Sequence, residues 1–112
     1  DPVIPGITDG ERLTALLRWV LSVKPFAIGL ETLRMDGFIA SRMRNSLPEA
    51  MFDRMIAHYP LLGDVPVHPA EEWRLTLFKQ IASMFEKTDV RACFCRATLP
   101  EQITPWDCRG GY

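Results

Sequence analysis

The chain has 112 residues, 47% of them apolar and 24% charged, and a net charge of −1. That supports one domain with one modest core and excludes both a disordered chain and a nucleic-acid binder driven by bulk positive charge. A membrane helix needs roughly 20 consecutive apolar residues, and the nearest approach, residues 13–23, is broken by Arg18.

The opening Asp1-Pro2-Val3-Ile4-Pro5-Gly6 has no initiating Met and is expected to continue a longer polypeptide. Val3-Ile4, closed by Pro5-Gly6, has the pattern of a buried strand end entering a loop. Thr8 with Glu11 three residues on forms a capping box, and Leu13, Leu16, Leu17, Val20 and Leu21 follow at helical spacing, which predicts a helix over 9–23 ended by Pro25. Residues 26–35 carry apolar side chains at Phe26, Ile28 and Leu30 ahead of an Asp36-Gly37 turn, a strand pattern. Phe38, Ile39, Arg42 and Met43 predict a short helix. Ser46 and Glu49 suggest a second capping box and a helix whose stripe is Met51, Phe52, Met55, Ile56 and Tyr59.

Three prolines and a glycine make residues 60–69 a loop. Glu71 and Glu72 sit where a helix N-terminus favours negative charge, and Trp73, Leu77, Ile81, Met84 and Phe85 line the inner face of the longest helix. Residues 90–96 read as a β-prone strand, and 97–112 as an irregular tail. Strands separated by helices imply parallel pairing. The fold class is therefore α/β: a partial (β/α) barrel-type segment over 1–96, with two to three parallel strands and about four helices. So few strands cannot close a barrel, which takes about eight.

The succession of Pro2-Val3-Ile4-Pro5-Gly6, an amphipathic helix, Ile28-Gly29-Leu30-Glu31-Thr32-Leu33-Arg34, the Arg42-Met43-Arg44 stretch, and His68-Pro69 leading by a helix into Val90-Arg91-Ala92-Cys93-Phe94 resembles the C-terminal part of radical SAM proteins. Among these it is most similar to the spore photoproduct lyase and DNA-repair-photolyase-like group. The resemblance implies a partial (β/α) barrel with a [4Fe–4S] cluster and S-adenosylmethionine in the intact enzyme, and a nucleic-acid partner. The family's Cys-x3-Cys-x2-Cys cluster motif does not occur in this chain, and residues 58–64 stand where the lyase carries its aromatic, Gly-rich hairpin. No cofactor is therefore expected on these residues themselves.

Functional groups of a parallel barrel gather at the carboxyl ends of strands. That singles out Asp9, Arg34 and Arg96. Asp9 is equally explained as a neighbour of a helix cap. Arg34 could offer its planar fork to a carboxylate or phosphate, or form a salt bridge with Glu31 or Asp36. Cys93, Cys95 and Cys108, with His58 or His68, could hold zinc or an auxiliary iron–sulfur centre, although structural zinc sites use Cys-x2–4-Cys knuckles and buried thiols are ordinary core residues. Arg42, Arg44 and Arg54, with Trp73 or Trp106, fit a solvated helical surface better than a phosphate-facing edge. No Gly-rich phosphate loop, Ser/His/Asp set or carboxylate pair stands out.

The expected role is the C-terminal portion of a radical SAM enzyme, completing the barrel wall on the substrate side and partnered by the rest of its polypeptide. The alternative is a free-standing helix-rich α/β module that binds a protein and does no chemistry. Exposed sheet edges would allow a homodimer. Three cysteines without a framework spacing suggest reduced thiols and a cytoplasmic location.

Overall fold

The structure, a computed structural model, describes residues 2–94. The irregular tail expected over 97–112, and with it Cys95, Arg96, Trp106 and Cys108, lies outside the described residues. Four helices and a two-stranded parallel sheet run in the order α1 (Glu11–Val23), β1 (Ala27–Leu30), α2 (Gly37–Ser46), α3 (Glu49–Ile56), α4 (Glu71–Phe85) and β2 (Arg91–Phe94). The chain is α/β, as its pattern predicts.

β1 and β2 pair in parallel with Ile28 opposite Ala92 and Leu30 opposite Phe94. Val3 adds a parallel bridge to Thr32, just beyond β1. Its N–H donates to Glu31 O at 2.7 Å and its carbonyl accepts from Leu33 N at 3.0 Å, whereas the Phe26 carbonyl accepts from Arg91 N. Peptide groups of odd and even residues in a strand point to opposite edges, so the Val3 segment flanks β1 on the side away from β2. Three parallel segments thus lie side by side in chain order. The Val3 edge is closed by its own loop: Ile4 N donates to Thr8 Oγ1 at 2.8 Å, and Ile4 O accepts from Ile7 N and Thr8 N.

This changes the expected role of Thr8. Its hydroxyl points back to the strand end, and α1 follows Gly10 with no side-chain cap. The second expected capping box also fails. Ser46 donates to Arg42 O within α2, and α3 begins behind Pro48 without a side-chain cap. The capping side chain is Asp36, whose carboxylate accepts from Ile39 N at 2.8 Å and starts α2. The strand expected over 26–35 narrows to four residues because the chain then pairs elsewhere, at Thr32 with Val3 and at Met35 with Val67.

Two cores result. In the first, Leu13 and Leu17 of α1 and Leu77, Phe78, Ile81 and Phe85 of α4 bury one face of the sheet through Val3, Ala92 and Phe94. The Phe78 and Phe94 rings meet at 4.5 Å between centroids. Trp73 and Met84, expected on the inner face of α4, are half-buried, and Phe78 takes the central place. On the opposite sheet face, in register, stand Gly29 and Cys93, and a Cβ at Gly29 would meet nothing within 4 Å. In the second core, Met35, Ala40, Phe52, Met55 and Tyr59 pack α2 and α3 beneath the continuation of β1.

Gly6 joins the two. Its φ of +73° lies in the left-handed region, and an added Cβ would sit 3.1 Å from the Arg54 carbonyl carbon. Left-handed backbone costs a Cβ-bearing residue about 1–2 kcal/mol. Gly6→Ala is therefore expected to lower unfolding free energy by at least that much, read as a lower urea midpoint. An unchanged midpoint would show that this turn does not hold α3 against the strand end.

Candidate functional site

Beyond the carboxyl end of β1 the chain borders a cleft of about 380 Å³. Glu31, Thr32, Leu33 and Arg34 line it from the continuation of β1 and Pro66 and His68 from the 60–69 loop, with Pro2 and Ile39 completing the lining. The wall from the 60–69 loop is positioned by the bridge between Met35 and Val67, whose peptide groups exchange two hydrogen bonds of 2.8 Å. Tyr59 fixes the other wall from beneath. Its buried hydroxyl donates to Leu33 O at 2.6 Å, and burial pushes its phenol well above the ordinary tyrosine range.

Arg34, singled out in the sequence as a strand-end residue, lies just beyond β1 and lines the cleft. It is exposed and, among the described residues, makes no ion pair with Glu31 or Asp36, the latter capping α2 instead. Asp9 stands at the start of α1 and is not among the lining residues. Arg96 lies outside the described residues. Reading the sequence misses Thr32, Glu31 and His68 as members of one site. The prolines around Val67 mark a loop and conceal its pairing with Met35.

Thr32 is 2% exposed, and its Oγ1 has no hydrogen-bond partner among the described residues; neither has the buried Nδ1 of His68. An unsatisfied buried polar atom costs about 1–3 kcal/mol, so two in one lining call for an explanation. The His68 imidazole is held below the usual histidine range, first by burial, then by the Arg74 and Arg34 guanidinium groups, with Glu31 opposing them. Two cations outweigh one carboxylate. Arg74 also donates from Nε to Pro69 O at 2.8 Å, which ties α4 to the end of the loop.

A consequence follows for stability. With its folded-state pKa depressed, His68 binds fewer protons folded than unfolded at pH values below its ordinary 6.5. Its contribution is thus complete above that value and is lost as pH falls through the ordinary pKa toward the folded one. Urea midpoints are expected to rise between pH 5.5 and 7.5, and His68→Gln is expected to flatten that slope. An equal slope in the variant would contradict the assignment.

No protein-family model, curated protein or solved structure matches the chain. The site therefore has to be read from its own chemistry. Among the described residues, no three His, Cys, Asp or Glu side chains are grouped to hold a metal ion. Cys93 is buried in β2; Cys95 and Cys108, its suggested co-ligands, lie outside the described residues. The cysteine set of this chain does not fit a [4Fe–4S] cluster of the family's kind, which needs its three cysteines within eight residues.

Of Arg42, Arg44 and Arg54, the first two have aromatic neighbours. Arg42 lies over the Phe38 ring at 5.8 Å and Arg44 over Phe52 at 4.7 Å, distances suited to cation–π contact. A second surface feature is apolar: Leu16, Trp19 and Val23 are 55%, 61% and 54% exposed and follow one another down one side of α1. No helix among the described residues is long and apolar enough to cross a membrane.

Proposed function

We propose that this chain forms one side of a radical SAM-type (β/α) barrel resembling spore photoproduct lyase, and that its cleft faces the substrate. The observation that carries the reading is the arrangement of Val3, β1 and β2. They lie parallel, in chain order, with α1 and α4 packed on one face and small residues such as Gly29 on the other. A barrel wall carries helices packed on one face in this way, and its active groups gather at the carboxyl ends of strands, beyond which Arg34 and His68 line one cleft. The cluster and S-adenosylmethionine belong, on this reading, to polypeptide that carries the Cys-x3-Cys-x2-Cys motif. The enzyme would work in the cytoplasm, where thiols stay reduced.

Reconstitution tests this. Treated anaerobically with iron and sulfide, the 112-residue chain is expected to hold no cluster and to leave S-adenosylmethionine intact. The longer polypeptide with the cysteine motif would cleave it. Cleavage by the chain alone, or a longer polypeptide without that motif, would contradict the reading.

The exposed stripe on α1 favours a second reading, a protein-interaction module without catalysis, because contiguous exposed apolar surface marks contact sites. The same stripe is also the kind of surface an adjoining helix of a larger wall would cover. Sedimentation separates the two: a stable monomer that gains no partner when Trp19 is intact argues against an interaction module.

A further inference from the structure

We propose that the cleft beyond β1 is an oxyanion site, holding a phosphate or carboxylate group against the Arg34 guanidinium with the Thr32 hydroxyl and His68 imidazole in its lining. The inference depends on the cleft alone and stands whether or not the chain belongs to a barrel of the radical SAM type. Two observations of the structure support it, and the charge around His68 agrees with them. Arg34 lines the cleft without an ion-pair partner among the described residues, leaving its planar fork available to a planar or tetrahedral anion.

Thr32 Oγ1 and His68 Nδ1 are both buried, both without a hydrogen-bond partner among the described residues, and both on residues of this one lining. Each is a potential donor, the hydroxyl by rotation and the imidazole in the appropriate tautomer or when protonated. Both atoms are closed to solvent in this structure, so an oxyanion held at Arg34 would reach them only by rotation of the two side chains, whereas a bound cation would compete with Arg34. The groups that face His68 are Arg74 from α4 and Arg34 and Glu31 from the continuation of β1, so positive charge prevails around it. An anion entering here reduces that repulsion. Binding and protonation of His68 must then favour each other, since linkage is reciprocal.

The chain has two histidines, His58 and His68. His58 stacks on Trp73 at 5.5 Å and does not line the cleft, which makes it an internal reference. Imidazole resonances followed by NMR during titration with inorganic phosphate, and separately with acetate, at constant ionic strength provide the test. Saturable shifts confined to His68, with its pKa moving upward in the bound state, are expected. Saturation by phosphate alone assigns a phosphate group, and saturation by acetate alone a carboxylate. Arg34→Gln, at an exposed position, is expected to fold normally and to weaken binding at least about tenfold, as loss of a charge-assisted hydrogen bond does. His68 resonances that do not saturate with either anion, shifts shared equally by His58, or unaltered binding in Arg34→Gln would each overturn the proposal.

Discussion

Replacing Phe94 with alanine is expected to destabilise the chain by about 3–5 kcal/mol, the range for deleting a fully buried aromatic side chain. Phe94 is the last residue of β2, is 0% exposed, and stacks against Phe78 of α4. It stands opposite Leu30 in the parallel register, so its ring joins strand pairing to helix packing. The cavity left would face Phe78, which is itself held by Leu77 and Ile81 on the same helix and has little freedom to collapse inward. Chemical denaturation checks this. A loss below about 1 kcal/mol would mean that β2 does not seal the first core.

Met35→Ala is expected to cost about 2–5 kcal/mol. Met35 is 0% exposed and sits in the second core with Phe52, Met55 and Tyr59. Its backbone also carries both hydrogen bonds to Val67. The side chain is flexible and fills an irregular space, so the cost should fall toward the lower end if Met55 moves into the gap. The more telling readout is local. Loosening of the second core should speed amide exchange in Leu33, which lines the cleft, and in Val67, which lies between its lining residues Pro66 and His68, more than in Ile28 or Ala92 of the sheet. Uniform acceleration would argue that the two cores unfold as one unit.

Much of the fold is legible in the residues because apolar periodicity and chain-breaking residues agree. Leu13 and Leu17 mark the buried face of α1, and Pro25 follows its end. Leu77, Ile81 and Phe85 do the same for α4. Parallel pairing follows from the helices between the strands. The capping boxes misled because a hydroxyl with Glu three residues on states what is possible locally, whereas Thr8 has a competing acceptor role toward Ile4 N, supplied by the loop around Gly6. Phe78, three residues before Ile81 and seven before Phe85, shares their buried face, and a stripe counted in fours from Trp73 and Leu77 passes it by.

The cleft was half legible. Arg34 is found by its place at a strand end. His68 enters through a loop–strand pairing that no local pattern announces, since Val67 is flanked by Pro66 and followed by His68-Pro69. Thr32 reads as an ordinary strand residue. Its significance comes from a buried hydroxyl without a partner among the described residues, which depends on tertiary surroundings that no local pattern records.

Amide hydrogen exchange, with and without inorganic phosphate, puts the choice between cleft and helix face to its most direct test. Protection is expected over residues 31–35 and 66–70, the two walls that surround Arg34 and His68, with the α1 surface at Leu16, Trp19 and Val23 unchanged. Exchange left unaltered in both walls, or protection gathered on that helix face instead, would place the functional surface elsewhere.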